Sequence, residues 1–428
     1  VVEAGRLSLV CDTPLPALST RFAHINELSV AGLGITDTHA DGFLVAFPNV
    51  TDLSIGELGQ QTDRPTSVAG ALTTLPEAVG LLREVRKRPG DDSLVGLSAC
   101  DPLNLLGTLL PGNKVPALAG NRLRALPESM AACQQLGLLR ISANALTALP
   151  DWLLTLPRLA WLAYGGNPLE ATPASASQSW PAIPWSALTL GTLLGEGASG
   201  HIHAASWLRD EAASTEPVAV KLFKGALTSD GLPDQELQAC LAAGAHPHLI
   251  PVHGVLHGHP EGRQGLVMPQ LDAQWRVLAG PPSLASCTRD VYAPDARWST
   301  DTAWLLAQGI ASATAHLHAR GILHGDLYAH NILWRDAGQA VLGDFGAASV
   351  LPSATSETQP SQALQRMDTL AFGHLLEELL QRVDAADRAD PRFTTLTQWH
   401  ARCVDPDPQA RPLMREVAQA TVKPAGST

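Results

Sequence analysis

The sequence predicts an α+β chain in two parts: a solenoid of short repeated strands over residues 1–170, then a separate α+β domain over residues 188–424. Three observations carry this reading. An asparagine recurs every 23 residues, at Asn121, Asn144 and Asn167. A glycine-rich stretch, LLGEGASG at 193–200, is followed by the alternating run VAVKLF at 218–223. Finally, LHGDLYAHNILW at 323–334 sets an Asp and an Asn five residues apart just ahead of a strand-like run.

With 428 residues, 45% of them hydrophobic, the chain has room for two or three domains with real cores. A net charge of −12 argues against a nucleic-acid partner. No apolar run is long enough to span a bilayer. The opening VVEAGRLSLV has no Met, basic segment or apolar run of a leader, which fits a segment of a longer protein. Six cysteines, at 11, 100, 133, 240, 287 and 403, form no CxxC pair. They read as thiols of a reducing compartment, hence a cytoplasmic protein or one delivered into a host cell. Abundant Ala, and Arg in excess of Lys, suggest a bacterial chain.

In the first part, Leu136-xx-Leu139-x-Ile141-xx-Asn144-x-Leu146 repeats as Leu159-xx-Leu162-x-Tyr164-xx-Asn167-x-Leu169. Earlier traces lie at Ile25-xx-Leu28-x-Val30 and Val50-xx-Leu53-x-Ile55, and residues 60–115 fit the frame poorly. Alternating apolar residues give a short strand with one buried face. The Asn side chain can bond the backbone where the chain leaves that strand. One repeat cannot bury its own apolar face, so neighbours stack. The frame resembles the leucine-rich repeat. That resemblance implies a concave strand face for a protein partner, with Arg140, Ser142 and Trp161 at outward strand positions. Residues 171–187, rich in small residues and prolines, read as a linker.

Gly195, Gly197 and Gly200 form G-x-G-x-x-G, which lets backbone N–H groups approach anionic oxygens. The following His201-Ile202-His203-Ala204 predicts a second strand, so the loop is the tip of a hairpin rather than the start of a helix. In VAVKLF, Val218, Val220 and Leu222 alternate with Ala219, Lys221 and Phe223. The chain has five lysines, so one inside a strand points to a phosphate contact. A buried lysine needs a counter-charge. Glu236 offers it on a short helix with Leu237, Cys240 and Leu241 inward, Asp234 as cap and Gly244 as terminator.

Beyond LHGDLYAHN, the runs Ile332–Trp334 and Val341-Leu342 flank the turn Asp336-Ala337-Gly338 and predict a β-hairpin. Folding it back brings Asn331 near Asp344, with Asp326 just upstream. Oxygen donors of this kind suit a hard cation that keeps sites open for phosphate and water. Asp326 could accept or orient a hydroxyl proton.

Taken in order, Gly195/Gly197/Gly200, Lys221 in V-A-V-K, Glu236, Asp326, Asn331 and Asp344 in D-F-G resemble the protein kinase superfamily over residues 188–415. The resemblance implies a two-lobed kinase fold, ATP and Mg2+. It implies catalytic roles for Asp326, Lys221, Glu236 and Asn331, and metal binding by Asn331 and Asp344. Nucleotide binding would fall to Leu194, Gly195, Gly197, Gly200, Ile202, Ala219, Lys221, Met268 and Leu271. Asp301–Arg320 reads as a long helix with Leu306, Ile310, Ala313 and Leu317 inward, Asp368 opens a buried helix, and Arg411 is structural.

The chain departs from the family at three places. Gly325 replaces the Arg of H-R-D, so Ser349, Ser353, Thr355, Ser356 and Thr358 read as loop residues rather than phosphorylation switches. Tyr328 stands where Ser/Thr kinases carry Lys, and His330 where tyrosine kinases carry Arg. A-P-E is missing, with Glu357 the candidate partner of Arg411 in its place. The expectation is a Ser/Thr protein kinase whose repeats recruit a protein partner or substrate. The alternatives are a small-molecule phosphotransferase of the aminoglycoside or choline-kinase kind and a nucleotide-binding pseudokinase.

Overall fold

The computed structural model describes residues 180–422 apart from 198, 210–213, 225–230, 283–288 and 353–357, most of 119–169, and four strands between residues 2 and 56. Residues 60–115, 171–179 and Glu357, for which expectations were stated, lie outside the described residues, as do Asn121 and four of the six cysteines.

The strands are β1 (Val2–Glu3), β2 (Arg6–Val10), β3 (Glu27–Ala31), β4 (Asp52–Gly56), β5 (Leu138–Arg140), β6 (Trp161–Ala163), β7 (Ala182–Pro184), β8 (Leu188–Glu196) and β9 (Gly200–Leu208). They continue with β10 (Thr215–Phe223), β11 (Gly254–His257), β12 (Gly265–Pro269), β13 (Arg276–Val277), β14 (Ile322–Leu323), β15 (Ile332–Arg335), β16 (Gln339–Leu342) and β17 (Ser349–Val350). The α-helices are α1 (Pro233–Ala243), α2 (Thr300–Ala319), α3 (Gln359–Gln381), α4 (Pro391–Cys403) and α5 (Met414–Val422). No helix among the described residues is long and apolar enough to cross a membrane.

The 23-residue period has a local cause. β5 and β6 run parallel, pairing Leu139 with Leu162. Asn144 Oδ1 accepts from the Leu123 N–H at 3.0 Å, and Asn167 Oδ1 from the Leu146 N–H at 3.0 Å. Each amide also donates back, Asn144 to Ile141 O at 2.9 Å and Asn167 to Tyr164 O at 2.7 Å. Buried backbone groups that leave a strand are thereby satisfied. Leu136, Ile141, Leu159, Leu162 and Tyr164 are fully buried in the stack. The earlier traces fall on strands too: β2, β3 and β4 are parallel, with Leu28 opposite Leu53 and Val30 opposite Ile55.

From residue 182 a six-stranded sheet runs in the order β7-β11-β12-β10-β9-β8. β10 is buried from Val218 to Phe223, and its two faces divide as the alternation predicts. Val218, Val220 and Leu222 pack with Ile183, Leu188 and Val267, while Phe223 packs with Leu237 and Leu266. The second half is helical, built on α2, whose Ser299 cap accepts from the Thr302 N–H at 3.1 Å. Leu306, Ile310, Ala313 and Leu317 of α2 face inward.

Three expectations change. The end of the stretch read as a linker is structural: β7 pairs in parallel with β11, and Ile183 is 1% exposed. A three-residue apolar strand flanked by prolines carries too little periodicity to be told from a linker. Asp234 is not a side-chain cap. Leu232 holds the cap position and Asp234 lies in the first turn of α1, where its charge favours the helix dipole. Finally, Arg140, Ser142 and Trp161 do not line an open face for a partner. Arg140 and Trp161 turn toward the helical half, Ser142 is buried beside Gly231, and Leu138, Ala160 and Trp161 belong to the same apolar core as α2 and α3.

Candidate active site

The glycine stretch is the tip of the β8–β9 hairpin, with Gly195 opposite Ile202 and the Gly197 N–H bonded to Gly200 O at 3.0 Å. A Cβ at Gly200 would sit 2.6 Å from Leu222 O, so this glycine is required by packing on β10. Around Gly195 and Gly197 a Cβ would meet nothing within 4 Å, which leaves open space over the loop. Lys224 was not singled out in the sequence, yet it ties the loop down by donating to Gly197 O at 3.1 Å and pairing with Glu196. Its spacing of three from Lys221 was the available signal.

Lys221 is 8% exposed and its ammonium pairs with the Glu236 carboxylate of α1. Burial disfavours the charged lysine, but Asp344 and Glu236 outweigh it and hold its pKa above the ordinary value. Burial pushes the Glu236 carboxyl up, with Asp344 adding to the effect and Lys221 opposing it. Lys221 thus pairs with Glu236 while also lying in the field of Asp344. On the next residues of this sheet, Ala219 stands opposite Met268, and both are at least half-buried. Leu271 follows β12 and is half-buried, whereas Leu194 is 51% exposed beside the loop.

The loop between β14 and β15 is held from below by Asp368 of α3, which is fully buried. Its carboxylate accepts from the backbone N–H groups of His324 at 2.9 Å and Gly325 at 3.0 Å, and contacts His318 Nε2 at 2.9 Å. Asp326 Oδ2 accepts from Asn331 Nδ2 at 2.9 Å, and the same amide reaches Asp326 O at 2.9 Å. The β15–β16 hairpin pairs Ile332 with Leu342, and the Gly343 N–H bonds Asn331 O at 2.9 Å. Asn331 and Asp344 therefore flank the open end of the hairpin, as its turn predicts. Asp344 has φ +52°, a left-handed conformation uncommon outside glycine, and its Oδ1 accepts from the Gly346 N–H at 3.1 Å. Strain of this kind costs about 1–3 kcal/mol and is concentrated at functional sites.

Two contacts have no motif behind them. His330 is held by Asp290 through Nδ1 at 2.8 Å and its backbone N–H at 3.0 Å. Burial works against its charged form, yet Asp290 wins and holds its pKa above the ordinary value. Arg140 of β5 pairs with the Asp326 carboxylate and donates to Gly325 O at 3.0 Å. Burial would raise the Asp326 pKa, but Arg140, His330 and His324 together hold it below the usual carboxylate value. Arg411 donates to Asp405 O at 2.9 Å and to Pro157 O.

The donor set fits a hard divalent cation. Asn331 uses its amide nitrogen on Asp326, which leaves its oxygen available, and Asp344 adds a carboxylate in a cluster with negative charge in excess of its one ammonium.

Comparison with known proteins agrees with this geometry. Residues 188–381 match the family described as protein tyrosine and serine/threonine kinase. Activated Cdc42 kinase Ack of Drosophila melanogaster is 28% identical over 170 residues, covering 39% of this chain and 14% of the fly protein. Non-receptor tyrosine-protein kinase TNK1 of Homo sapiens is 29% identical over 182 residues, covering 40% of this chain and 24% of the human protein. An Oryza sativa subsp. japonica protein named for cyclin-dependent kinase F-2 is 28% identical over 217 residues, covering 44% of this chain and 60% of the rice protein. The chain thus spans less than two thirds of each of these relatives. The segment that carries Lys221, Asp326, Asn331 and Asp344 is the one that matches the protein kinase family.

Proposed function

We propose that the chain is an ATP-dependent phosphotransferase acting on serine or threonine hydroxyls of proteins. One observation carries the reading: Lys221 pairs with Glu236, Asn331 bonds Asp326, and Asp344, next to the Gly343 N–H that bonds Asn331 O, acts electrostatically on Lys221, so residues of four separate segments meet near the glycine hairpin. The loop backbone and Lys221 would hold the ATP phosphates. Leu194, Ile202, Ala219, Met268 and Leu271 would surround the adenine. Asn331 and Asp344 would hold Mg2+, whose charge would offset that of the phosphoryl group. Asp326 would take the acceptor's proton, with Asn331 and Asp368 fixing its loop. Position 330 lacks the arginine of the tyrosine-kinase pattern and position 328 the lysine of the Ser/Thr pattern, so the amino acid labelled on casein decides between the two acceptors.

The repeats are read as leucine-rich repeats that also recruit a protein partner. Since β5 and β6 turn toward the helical half, that partner would use other repeat strands, of which β2, β3 and β4 are candidates. The unpaired thiols Cys240 and Cys403 favour the cytoplasm.

Incubating the protein with labelled ATP, Mg2+ and casein, beside Asp326→Ala, tests the reading. Transfer to casein serine or threonine by the wild type, reduced about 10²–10⁴-fold in the variant, is expected. Equal signal from both proteins removes the catalytic claim. A small-molecule acceptor is favoured by one observation: Arg140 covers Asp326, whose side chain is 14% exposed. ATP consumption that responds to aminoglycosides or choline, and not to casein, selects it.

A further inference from the structure

The two catalytic-loop residues that depart from the kinase pattern, Gly325 and Tyr328, are where the repeat strands land. Gly325 has φ +70°, and a Cβ there would lie 2.4 Å from the Leu162 carbonyl oxygen of β6 and 2.9 Å from Ala347 O. An arginine at this position would collide with the repeat. Tyr328 lies flat on Trp161, with ring centroids 4.4 Å apart and planes 5° from parallel. Trp161 also donates its indole N–H to Leu327 O at 3.2 Å. Further along, the Tyr164 N–H bonds Ser349 Oγ at 3.1 Å and its hydroxyl donates to Val350 O at 3.1 Å. These contacts, with Leu138, Ala160 and Trp161 inside the core, have the packing of a domain interior. The repeat is a fixed wall of the site rather than a lid over it.

Arg140 is what this wall delivers. Its side chain is 9% exposed, with one guanidinium nitrogen on Gly325 O and another on Asp326 Oδ1, while Asn331 holds Oδ2. The loop supplies no free cation of its own: position 328 is Tyr, and His330 is turned into Asp290. We propose that Arg140 is a positioning residue for phosphoryl transfer, an arginine contributed by the repeat that orients the Asp326 carboxylate and replaces the positive charge missing from the loop. This rests on the phosphotransferase reading above. In that reaction the acceptor oxygen forms a bond to the γ-phosphorus, the bond from that phosphorus to the ADP oxygen breaks, and the hydroxyl proton passes to Asp326. A carboxylate offers about four lone-pair sites, so Asp326 keeps acceptor capacity with both oxygens bonded. The planar fork that spans a carbonyl and a carboxylate belongs to arginine and is not reproduced by lysine.

The test uses the full chain with Arg140→Ala and Arg140→Lys, labelled ATP, Mg2+ and casein. Loss of one such donor predicts a fall in kcat of about 10²-fold in Arg140→Ala, with the KM for ATP changed by less than about 2-fold. Arg140→Lys falls in between. Guanidinium ion at millimolar concentration restores part of the lost rate in Arg140→Ala and leaves the wild type unchanged. Should Arg140→Ala fail to fold, Arg140→Lys carries the test, and its kcat must fall with KM unchanged. Arg140 variants as active as the wild type, or more active, overturn the inference and make the contact a lock on Asp326. A loss without guanidinium rescue overturns it in favour of a purely structural role. A wild type as inert as Asp326→Ala removes the phosphotransferase reading itself, whereas an active wild type with no effect at Arg140 removes this inference alone.

Discussion

The two sides of the proposed site are built in opposite ways. The phosphate end of the proposed nucleotide side is assembled from neighbours in sequence: a hairpin loop, a strand lysine and a helix glutamate within residues 195–236. The contacts there follow from strand alternation, one buried ion pair and the Lys224 contacts to the loop. The proposed acceptor side joins distant parts of the chain, with Asp326 held by Arg140, 186 residues away in sequence, and its loop pressed against β6. The difference teaches that a motif departure can mark a tertiary contact rather than a lost function. Gly325 and Tyr328 look like erosion of the kinase pattern, yet each is shaped to the repeat that touches it.

The sharpest way to break the contrast is to remove the lysine that the nucleotide side depends on. Lys221→Met leaves Glu236 buried without its partner, and breaking a buried pair in this way costs about 3–5 kcal/mol. Lys221→Met/Glu236→Leu removes both charges and is expected to recover part of that loss. Urea unfolding midpoints of the two variants check it, and a single variant no less stable than the double one would show that the pair is not the element that ties α1 to β10.

This contrast also explains what could be read in advance. Lys221 was legible because lysine is scarce in this chain and strand alternation put it on one face with Ala219 and Phe223. The Asn331–Asp344 juxtaposition was legible because a hairpin turn dictates its own register. The asparagine period was legible because each side chain bonds the backbone of an adjacent coil, a contact repeated at constant spacing. Arg140 on Asp326 and Asp290 on His330 were not legible, since neither pair shares a turn, a period or a helix face. Trp161 shows the same limit. Its position on a strand was evident, but which of two surfaces covers it depends on how the repeats meet the helical half.

On the acceptor side, Gly325→Ala should have the next largest effect. The new Cβ meets two backbone oxygens, and the backbone sits in the left-handed region. Overpacking and backbone strain together predict a loss of about 2–4 kcal/mol. Thermal or urea unfolding measures it. A fully stable Gly325→Ala would mean that the repeat does not dock on this loop, and the proposed role of Arg140 would lose its footing.

Burial raises the carboxyls of Glu236 and Glu378 alike, but their surroundings differ. Glu236 has an ammonium to itself apart from Asp344, whereas Glu378 of α3 shares Arg289 with Glu377 and faces Asp290 and the Tyr292 hydroxyl. Burial first, then Asp290, pushes the Glu378 pKa up to about 7 from 4.5. The folded state therefore keeps a proton that the unfolded chain releases between about pH 4.5 and 7. This contribution is fully present below about pH 4.5 and is lost as pH rises through about 7, for a total on the order of 3 kcal/mol. The half-buried histidines His246 and His374 titrate in the opposite sense, so the measurement is the difference between wild type and Glu378→Gln. That difference in unfolding free energy should grow in favour of the variant from pH 5 to pH 8. Parallel curves would place the Glu378 carboxylate in solvent.

The smallest effect is expected at the stack itself. The Tyr328 ring is 6% exposed on Trp161, and its hydroxyl is buried with no hydrogen-bond partner among the described residues. A hydroxyl in that position has given up its bonds to water and gained none, a penalty of about 1–3 kcal/mol that its bulk contacts must offset. Tyr328→Phe keeps the stacked face and removes the unpaired group, so it should leave stability unchanged or raise it by up to about 1 kcal/mol. Tyr328→Lys, which restores the residue of the Ser/Thr pattern, keeps the loop's sequence closer to the family but loses the stack and buries an ammonium beside Trp161. It should be the less stable of the two by more than about 1 kcal/mol. Paired thermal unfolding of these variants decides whether the acceptor side is held by shape, as the flat ring contact indicates, or by a polar bond through the phenol. If Tyr328→Phe proves the weaker protein, the second is true, and the acceptor side would then resemble the nucleotide side after all.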